Sequence, residues 1–324
     1  MSKRIDAVAR GFEELNPGLF RTHAFQNKEA EATAYSNYSY WRSTWKAFIK
    51  HKVAAFLLCL IAVLLLFTVI QPLLPNQREP NYININPETG YQDLNVRPGK
   101  EYWFGTNSIG QDLWARIWSG TRTSLLIGIM VGIINCVMGI IVGAIWGYVR
   151  KLDFAITEIY NVINNIPTTI LLILLTYIMR PSIQTMVLAM CCTGWLGTAR
   201  YIRNQIIIIR DREYNLASRC LGTNTQRVIT KNLLPYLISV IMMQLALSIP
   251  GTIGWEVFLT YIGLGLPLEI PSLGNLVNEG RVLMQSAELS YQLWFPAAVL
   301  SVITISFYVL GNVFADSADP RNHM

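Results

Sequence analysis

Long apolar runs separated by short polar segments constrain what this chain can fold into more than any other feature. Hydrophobic residues make up 52% of the 324 residues and charged residues only 14%, whereas about 25% charge is usual in a soluble domain. A helix of about 20 apolar residues covers the hydrocarbon core of a bilayer. The composition therefore predicts an all-α, polytopic membrane protein.

Six runs are long enough to predict six transmembrane helices, at about 53–74, 123–149, 154–179, 182–199, 236–264 and 292–313. Pro250 and Gly251 predict a kink in the fifth span, and Asn161, Asn164, Asn165 and Pro167 cluster at the start of the third. Residues 1–52 contain no apolar signal-peptide core, so we expect the first span to act as the targeting signal.

The segment before the first span alternates aromatic and basic residues over 38–52. This pattern favours an amphipathic helix at the membrane interface, with a solvated linker as the alternative. The predicted organisation is then a cytoplasmic segment 1–52, a first transmembrane helix 53–74, an extracellular loop 75–120, a core domain 121–315 with five transmembrane helices, and a cytoplasmic tail 316–324.

Charge in the loops predicts the orientation. The segment 200–231 carries basic residues against only Asp211 and Glu213, whereas 263–291 carries Arg281 against three glutamates. Positively charged loops stay cytoplasmic, so we expect both termini and the basic segment to face the cytoplasm. The net charge of +6 is explained by these loops, and no nucleic-acid partner is predicted.

A polar insert interrupts the apolar pattern between the fourth and fifth spans. Residues 210–237 read RDREYNLASRCLGTNTQRVITKNLLPYL. At helical spacing one face carries Arg212, Asn215 and Arg219, and another is apolar, with Tyr214, Ala217 and Leu221 flanked by Leu216 and Cys220. The insert therefore predicts an amphipathic helix.

Three local signals place the ends of the helices in this insert. Gly222 predicts a left-handed residue that ends the first helix. Thr223 and Gln226 match a capping box that would start a second short helix, and Leu234-Pro235 suits the first turn of the next span. The result is a helix-turn-helix within a coupling loop that we place at 200–235.

Glycines recur every four residues in the second span, at Gly128 and Gly132 and again at Gly139, Gly143 and Gly147. Small residues at this spacing allow two helix backbones to approach closely in lipid. We expect a tight helix contact here rather than a ligand site.

Residues for catalysis or metal binding are scarce. The three histidines lie outside the spans, the five cysteines form no C-x-x-C pair, and no G-x-x-x-x-G-K-[ST] loop is present. We therefore predict no metal site, no cofactor and no enzymatic activity in this chain, and any ATP-driven work would use a site on another chain. Glu256 is the acidic residue of the fifth span, and we expect it to have a structural role rather than to form an ion site.

The insert resembles the "EAA" loop of ABC-importer membrane subunits, which docks into a cleft on the ATPase. Ala217, Gly222, Leu234 and Pro235 match that loop, whereas Leu216 and Ser218 stand in place of its glutamate and second alanine. The stretches 104–125 and 263–274 are similar to signatures of the oligopeptide and dipeptide branch. The tail 315–321 is similar to that of the second, or C, membrane subunit of oligopeptide permeases.

This resemblance implies the six-helix fold of type I ABC-importer permeases. The implied partners are a similar second permease, two ATPases that bind ATP and magnesium, and an extracellular lipid-anchored or periplasmic peptide-binding protein, in addition to the bilayer. The resemblance assigns the ATPase contact to Arg212, Glu213, Tyr214, Asn215, Ala217, Ser218, Arg219, Leu221, Gly222, Leu234 and Pro235.

The substrate stays open between oligopeptides, dipeptides, nickel chelates and glutathione. Asn161, Asn164, Asn165 and Gln244 would line a polar path for peptide amides or else hydrogen-bond between helices. Outside the family, a stand-alone secondary transporter or channel and a membrane-anchored regulatory subunit are the alternatives.

Overall fold

The computed structural model describes residues 40–75 and 77–318, with side chains from Thr44 onwards. In this part of the chain the secondary structure is helical apart from isolated β-bridges. The helices are α1 (Tyr40–Lys50), α2 (Lys52–Ile70), α3 (Leu113–Tyr148), α4 (Arg150–Asn164), α5 (Thr168–Ile178), α6 (Ile183–Arg210), α7 (Glu213–Cys220), α8 (Thr225–Arg227), α9 (Leu234–Tyr236), α10 (Ile238–Tyr261), α11 (Leu273–Val282) and α12 (Tyr291–Ala318).

The centre of the fold is α3, which packs along α6 and α10, while α12 packs against α10. Its 36 residues begin at Leu113, ten residues before the start predicted for the second span. Asp112 is the N-cap, and its side chain accepts a hydrogen bond from the Trp114 backbone N–H at 3.1 Å. Such a cap stabilises a free helix end, so the loop predicted to be extracellular ends at residue 112 and not at 120.

Four of the described helices, counting α2 with the turn that follows it, are long and apolar enough to cross a membrane. The count is five if α4 and α5, which are bent by 71°, form one broken span. The sequence prediction of six also includes α6, which is not in this set. A multi-pass membrane protein is thus confirmed, and the count of six remains a prediction.

The predicted third span is interrupted and does not form one continuous helix. The asparagine cluster lies at the break between α4 and α5 rather than at the start of the span. Asn165 closes α4 with its N–H on the Asn161 carbonyl oxygen at 3.0 Å, and Pro167 is the N-cap of α5. Proline has no N–H to continue the helical ladder, which explains the interruption.

Two more helix ends differ from the sequence prediction. The helix predicted to end near residue 199 continues as α6 to Arg210, so the connection predicted to be cytoplasmic begins at residue 211 rather than 200. The last helix continues to Ala318, beyond the predicted ends at 313 and 315. By contrast, the whole of α1 falls within the predicted interfacial segment 38–52. The tail motif beyond Ala318 lies outside the described residues.

Residues 77–112, called the outer segment because the sequence predicts that they face outwards, are fastened to the C-terminal half of the chain. The Tyr291 hydroxyl lies 3.0 Å from the Val96 carbonyl oxygen and 2.8 Å from that of Thr106. The rings of Phe104 and Phe295 stack with centroids 4.2 Å apart. These contacts join segments almost 200 residues apart in the chain, so the outer segment is part of the folded core domain.

Candidate functional site

The connection between α6 and α10, residues 211–237, is the predicted coupling element and has a helix-turn-helix form. Helix α7 ends in a left-handed Gly222 with φ of +80°. The Gly222 N–H bonds the Arg219 carbonyl at 2.9 Å and the Thr223 N–H bonds that of Ser218 at 3.1 Å. These two bonds form the Schellman arrangement, so the helix ends where the glycine predicted.

The start of the second short helix differs from the prediction. The N-cap of α8 is Asn224 and not Thr223, and its side chain makes no capping bond. After α8 the chain continues as a π-helix, Val228–Leu233, followed by α9. The capping-box prediction is wrong because the Schellman turn places Thr223 in the turn itself.

One face of α7 is apolar and exposed. Tyr214, Leu216 and Leu221 are 47%, 42% and 86% exposed, and Ala217 and Cys220 are exposed beside them. Exposed apolar side chains grouped on one short element mark interaction sites. The predicted contact residues Glu213, Arg212 and Arg219 are exposed as well.

Asn215 does not belong to that exposed surface, and its predicted role as a contact residue is wrong. It is fully buried, and its amide donates to the Ile209 carbonyl oxygen at 2.8 Å. The Asn232 amide donates to Asn215 Oδ1 and to Ser218 Oγ, both at 3.3 Å. Asn215 and half-buried Ser218 therefore fasten α7 to the end of α6 and to the π-helix.

A carboxylate at the end of α6 connects α7 to the first half of the bundle. Asp211 accepts hydrogen bonds from Arg150 at 3.0 and 3.1 Å, from Arg210 at 3.2 Å and from Arg219 at 3.3 Å. Slight burial raises the pKa of Asp211, but Arg210 and Arg150 outweigh this and hold the pKa below its ordinary value. The carboxylate stays ionised at neutral pH and draws three arginines together.

Apolar packing supports the other side of the element. Val228, Leu233 and Leu237 are buried against Ile202, Ile206 and Ile209 of α6. Leu234 is half-buried and Pro235 is exposed in the first turn of α9. A movement of α7 would therefore be passed to α6 and α10 through contacts rather than through a loose loop.

The five glycines of α3 lie at two helix crossings. A Cβ at Gly128 or Gly132 would meet Ile249 or Ser248 of α10, and one at Gly139, Gly143 or Gly147 would meet Thr198, Ala199 or Arg203 of α6. The Gly147 carbonyl oxygen also accepts from Arg210 at 2.7 Å. These glycines let α6 and α10 approach the α3 backbone.

The residues predicted to line a path are not brought together. Asn161, Asn164 and Asn165 are exposed at the α4–α5 break, with the Tyr160 hydroxyl donating to Asn164 Oδ1 at 3.3 Å. Gln244 is half-buried on α10. None of the four lines the polar cavity that the bundle forms.

That polar cavity has a volume of about 200 Å³ and lies between α3, α5, α6 and α10. Sequence reasoning missed it, although Asn135 is an isolated amide in an apolar span, which is a signal of function. The polar or glycine residues that line it are Asn135, Thr168, Thr193, Gly194, Thr198, Ser248, Gly251 and Thr252.

Glu256 is fully buried in α10 and takes part in a network. Ser124 of α3 donates to Glu256 Oε2 at 2.6 Å and accepts the Leu273 backbone N–H at 3.0 Å. The carboxyl group thus joins α3, α10 and the start of α11, in keeping with the structural role expected for it.

Comparison with known proteins gives a consistent picture. Residues 136–323 match the family model described as binding-protein-dependent transport system inner membrane component, and residues 39–91 match the N-terminal TM domain of oligopeptide transport permease C. The chain is 38% identical to the oligopeptide transport system permease protein AmiD of Streptococcus pneumoniae, covering 92% of this chain and 94% of that one.

Two further similarities extend this result. The dipeptide transport system permease protein DppC of Bacillus subtilis is 34% identical, over 91% of this chain and 90% of that one. Among solved structures, a chain of the MetNI methionine ABC transporter in an inward-facing form superposes with a TM-score of 0.50 at 19% identity, over 62% of this chain and 96% of that one. The last similarity concerns the fold alone.

Proposed function

The chain belongs to the family of binding-protein-dependent transport system inner membrane components and is a permease subunit of an ATP-driven importer, and from this premise we propose that it carries oligopeptides across the cell membrane. The names of its relatives support this substrate class. Dipeptides, nickel chelates and glutathione are the alternatives within the family.

The observation that carries the proposal is the exposed apolar face of α7. Tyr214, Leu216 and Leu221 project from an element whose other side is fixed by Asn215, Asp211 and the Val228–Leu233 helix. A rigid element with an apolar contact surface suits transmission of movement from a partner. The partner would be an ATPase that closes on binding ATP.

The remaining parts of the machine would be separate chains. We assign ATP and magnesium to two ATPase subunits, and we assign the other half of the membrane passage to a second permease of the same kind. A peptide-binding protein outside the cell would select the ligand. This chain would then catalyse no reaction, and both of its termini would lie in the cytoplasm together with α7.

Replacing Leu221 by aspartate tests the contact. The residue is 86% exposed, so the fold should tolerate the change, while a charge in an apolar cleft should disfavour ATPase binding. We expect ATPase subunits to co-purify with the unmodified chain and to be lost from Leu221→Asp. Leu268→Asp, at a 63% exposed leucine of the loop between α10 and α11, is the matched control and should retain them.

Uptake of a labelled oligopeptide tests the substrate. Cells that lack this chain should regain ATP-dependent uptake when it is restored with its partner chains. Uptake driven by an ion gradient through this chain alone would instead identify a secondary transporter. Uptake of a nickel chelate or of glutathione, but of no peptide, would reassign the substrate within the family.

A further inference from the structure

Arg122 is a charged side chain on α3, a helix long and apolar enough to cross a membrane. The other arginine of this helix, Arg116, is buried and bonds Glu279 at 2.9 Å. Arg122 is half-buried, and its side chain makes no hydrogen bond, ion pair or ring contact with any described residue. Arginine keeps its charge in proteins, and an unpaired charge in a membrane is costly. Arg122 therefore calls for an anion from outside the described part of the chain.

A groove between α2 and α3, with a volume of about 330 Å³, includes Arg122 in its lining. The other lining residues are Leu65, Thr68 and Val69 of α2 and Leu125, Leu126, Ile129 and Met130 of α3. The Thr68 hydroxyl already donates to the Leu65 carbonyl oxygen at 2.7 Å. Among these lining residues Arg122 alone is charged, so the groove combines one cation with an apolar surface.

The groove begins near one edge of the hydrocarbon layer. The span that contains α2 and its following turn is Lys52–Leu73, and its length of about 33 Å is close to the roughly 30 Å of hydrocarbon in a bilayer. Val69 lies four residues before the end of this span, or about 6 Å along the helix, and lines the groove together with Arg122. An arginine at this depth can extend its guanidinium to the headgroups.

Aromatic side chains mark the same edge. Trp114 and Trp118 precede Arg122 at four-residue steps on α3, which places the three residues on one face of the helix. The Phe67 ring of α2 lies edge-on to both indoles, with centroids 5.9 and 4.6 Å away. Tryptophan is enriched where the hydrocarbon meets the headgroups. From this edge the groove follows α3 inward, from Arg122 to Met130.

We propose that this groove binds a membrane phospholipid with a net negative headgroup, with the phosphate on the Arg122 guanidinium and one acyl chain along the apolar lining. The planar guanidinium suits phosphate, and basic sites between transmembrane helices bind lipid headgroups. Since no acidic residue lines the groove, a phosphate that no amine of its own lipid balances is favoured. Phosphatidylglycerol fits this requirement and phosphatidylcholine does not.

The test places the complete transporter, with its ATPases, second permease and binding protein, in nanodiscs of phosphatidylcholine. Phosphatidylglycerol with a diazirine in one acyl chain is added at increasing mole fraction, and mass spectrometry measures photolabelling of residues 65–69 and 122–130. We expect this labelling to saturate. Phosphatidylcholine with the same diazirine should label these segments only in proportion to its mole fraction.

Arg122→Gln tests the phosphate contact, because it removes the charge and keeps a polar side chain. The half-saturating mole fraction of phosphatidylglycerol should rise about tenfold, or about 1.4 kcal/mol, as the loss of a hydrogen bond to a charged group implies. Arg180→Gln is the control, because Arg180 is exposed between α5 and α6 and does not line the groove. It should leave the half-saturating fraction unchanged.

Leu126→Trp tests the apolar part of the groove. Leu126 is exposed and lines the groove, so a larger side chain should occupy the space of the acyl chain without entering the core. The half-saturating fraction should rise in this variant as well. Leu188→Trp, at an exposed leucine of α6 that does not line the groove, is the control and should leave it unchanged.

An unchanged half-saturating fraction in Arg122→Gln would overturn the inference, and so would equal saturation by phosphatidylcholine, which would mean an ordinary boundary lipid. If neither lipid labels the two segments in the complete transporter, another subunit covers the groove and the inference is also wrong. If Arg122→Gln does not assemble, an unchanged fraction in Leu126→Trp decides against the inference in its place. The labelling does not require peptide uptake, so a failure of the proposed function is a separate result.

Discussion

Gly222 occupies the one position in the coupling element where the backbone itself limits the choice of residue. Its φ is +80°, and a Cβ there would meet nothing within 4 Å, so the constraint is conformational and not steric. A residue with a Cβ is less stable by about 1–2 kcal/mol in this left-handed conformation, and a β-branched residue is the least suited to it. Asparagine is among the few that tolerate it.

Replacing Gly222 by valine should therefore disturb the turn between α7 and α8. We expect peptide uptake to fall about tenfold, in line with that conformational cost, while ATP hydrolysis by the partner subunits continues. Parallel measurements of uptake and ATP hydrolysis check this. Gly222→Asn is the control, and its ratio of peptide uptake to ATP hydrolysis should stay near that of the unmodified chain. Normal uptake by Gly222→Val would refute a coupling role for this turn.

At the same scale, sequence reasoning succeeded where one residue determines its own conformation. Gly222 predicts the end of α7 because few residues adopt positive φ. The face of Asn215 was not predictable from helical spacing, since its burial depends on Ile209 and Asn232, which come from two other helices. A local pattern can place a residue on a face but cannot tell which face a neighbouring helix will cover.

Among the helices, α3 and α6 make the most extensive contact. A Cβ at Gly143 would collide with the Ala199 carbonyl oxygen and lie 2.9 Å from Ile202 Cβ. Gly197 of α6 is also within a helix, but a Cβ there would meet nothing within 4 Å. Replacing each of these two glycines by alanine therefore distinguishes the effect of close backbone packing on stability from the effect of helix propensity.

We expect Gly143→Ala to lower the free energy of unfolding by about 1–3 kcal/mol, the usual cost of overpacking. Gly197→Ala should instead raise it by about 0.5–1 kcal/mol, because alanine favours the helix over glycine. Thermal unfolding of the purified chain in detergent measures both. Equal effects of the two substitutions would contradict the close α3–α6 contact.

The broken third span shows what hydropathy cannot predict at this scale. The apolar run continues across 154–179, but Asn165, Ile166 and Pro167 separate two helices whose axes are bent by 71°. Proline interrupts a hydrogen-bond ladder, and whether the helix kinks or stops depends on neighbours that can satisfy the freed groups. The direction of α5 is therefore a property of the bundle.

Over the whole molecule, the apolar runs of the sequence predict the class of protein. The sequence does not predict how the outer segment packs against the helices. Asn81 donates to the Glu269 carbonyl oxygen at 2.7 Å, and Gln292 donates to Asn95 at 2.8 Å. These partners lie more than 180 residues apart in the chain and carry no shared sequence pattern. The polar cavity at Asn135 likewise draws its lining from four helices.

Two ion pairs near this end of the bundle differ in burial, and one of them, Arg97–Glu288, includes a residue of the outer segment. Arg116 at the start of α3 bonds Glu279 of α11 at 2.9 Å, with side-chain exposures of 2% and 29%. Burial raises the pKa of Glu279 while Arg116 lowers it, and the pKa lies above its ordinary value. Arg97 and Glu288 lie 2.7 Å apart with exposures of 65% and 72%.

Removing the glutamate from each pair should lower the free energy of unfolding by unequal amounts. Glu279→Ala leaves the buried Arg116 without its anion, which should cost about 3 kcal/mol, the low end for a buried pair because Glu279 is partly exposed. Glu288→Ala should cost about 0.5 kcal/mol or less, since solvent screens an exposed pair. Chemical denaturation of the two variants in detergent measures the difference. Equal losses would mean that Arg116 reaches solvent or another acceptor once Glu279 is absent, and that the contact between α3 and α11 does not depend on this pair.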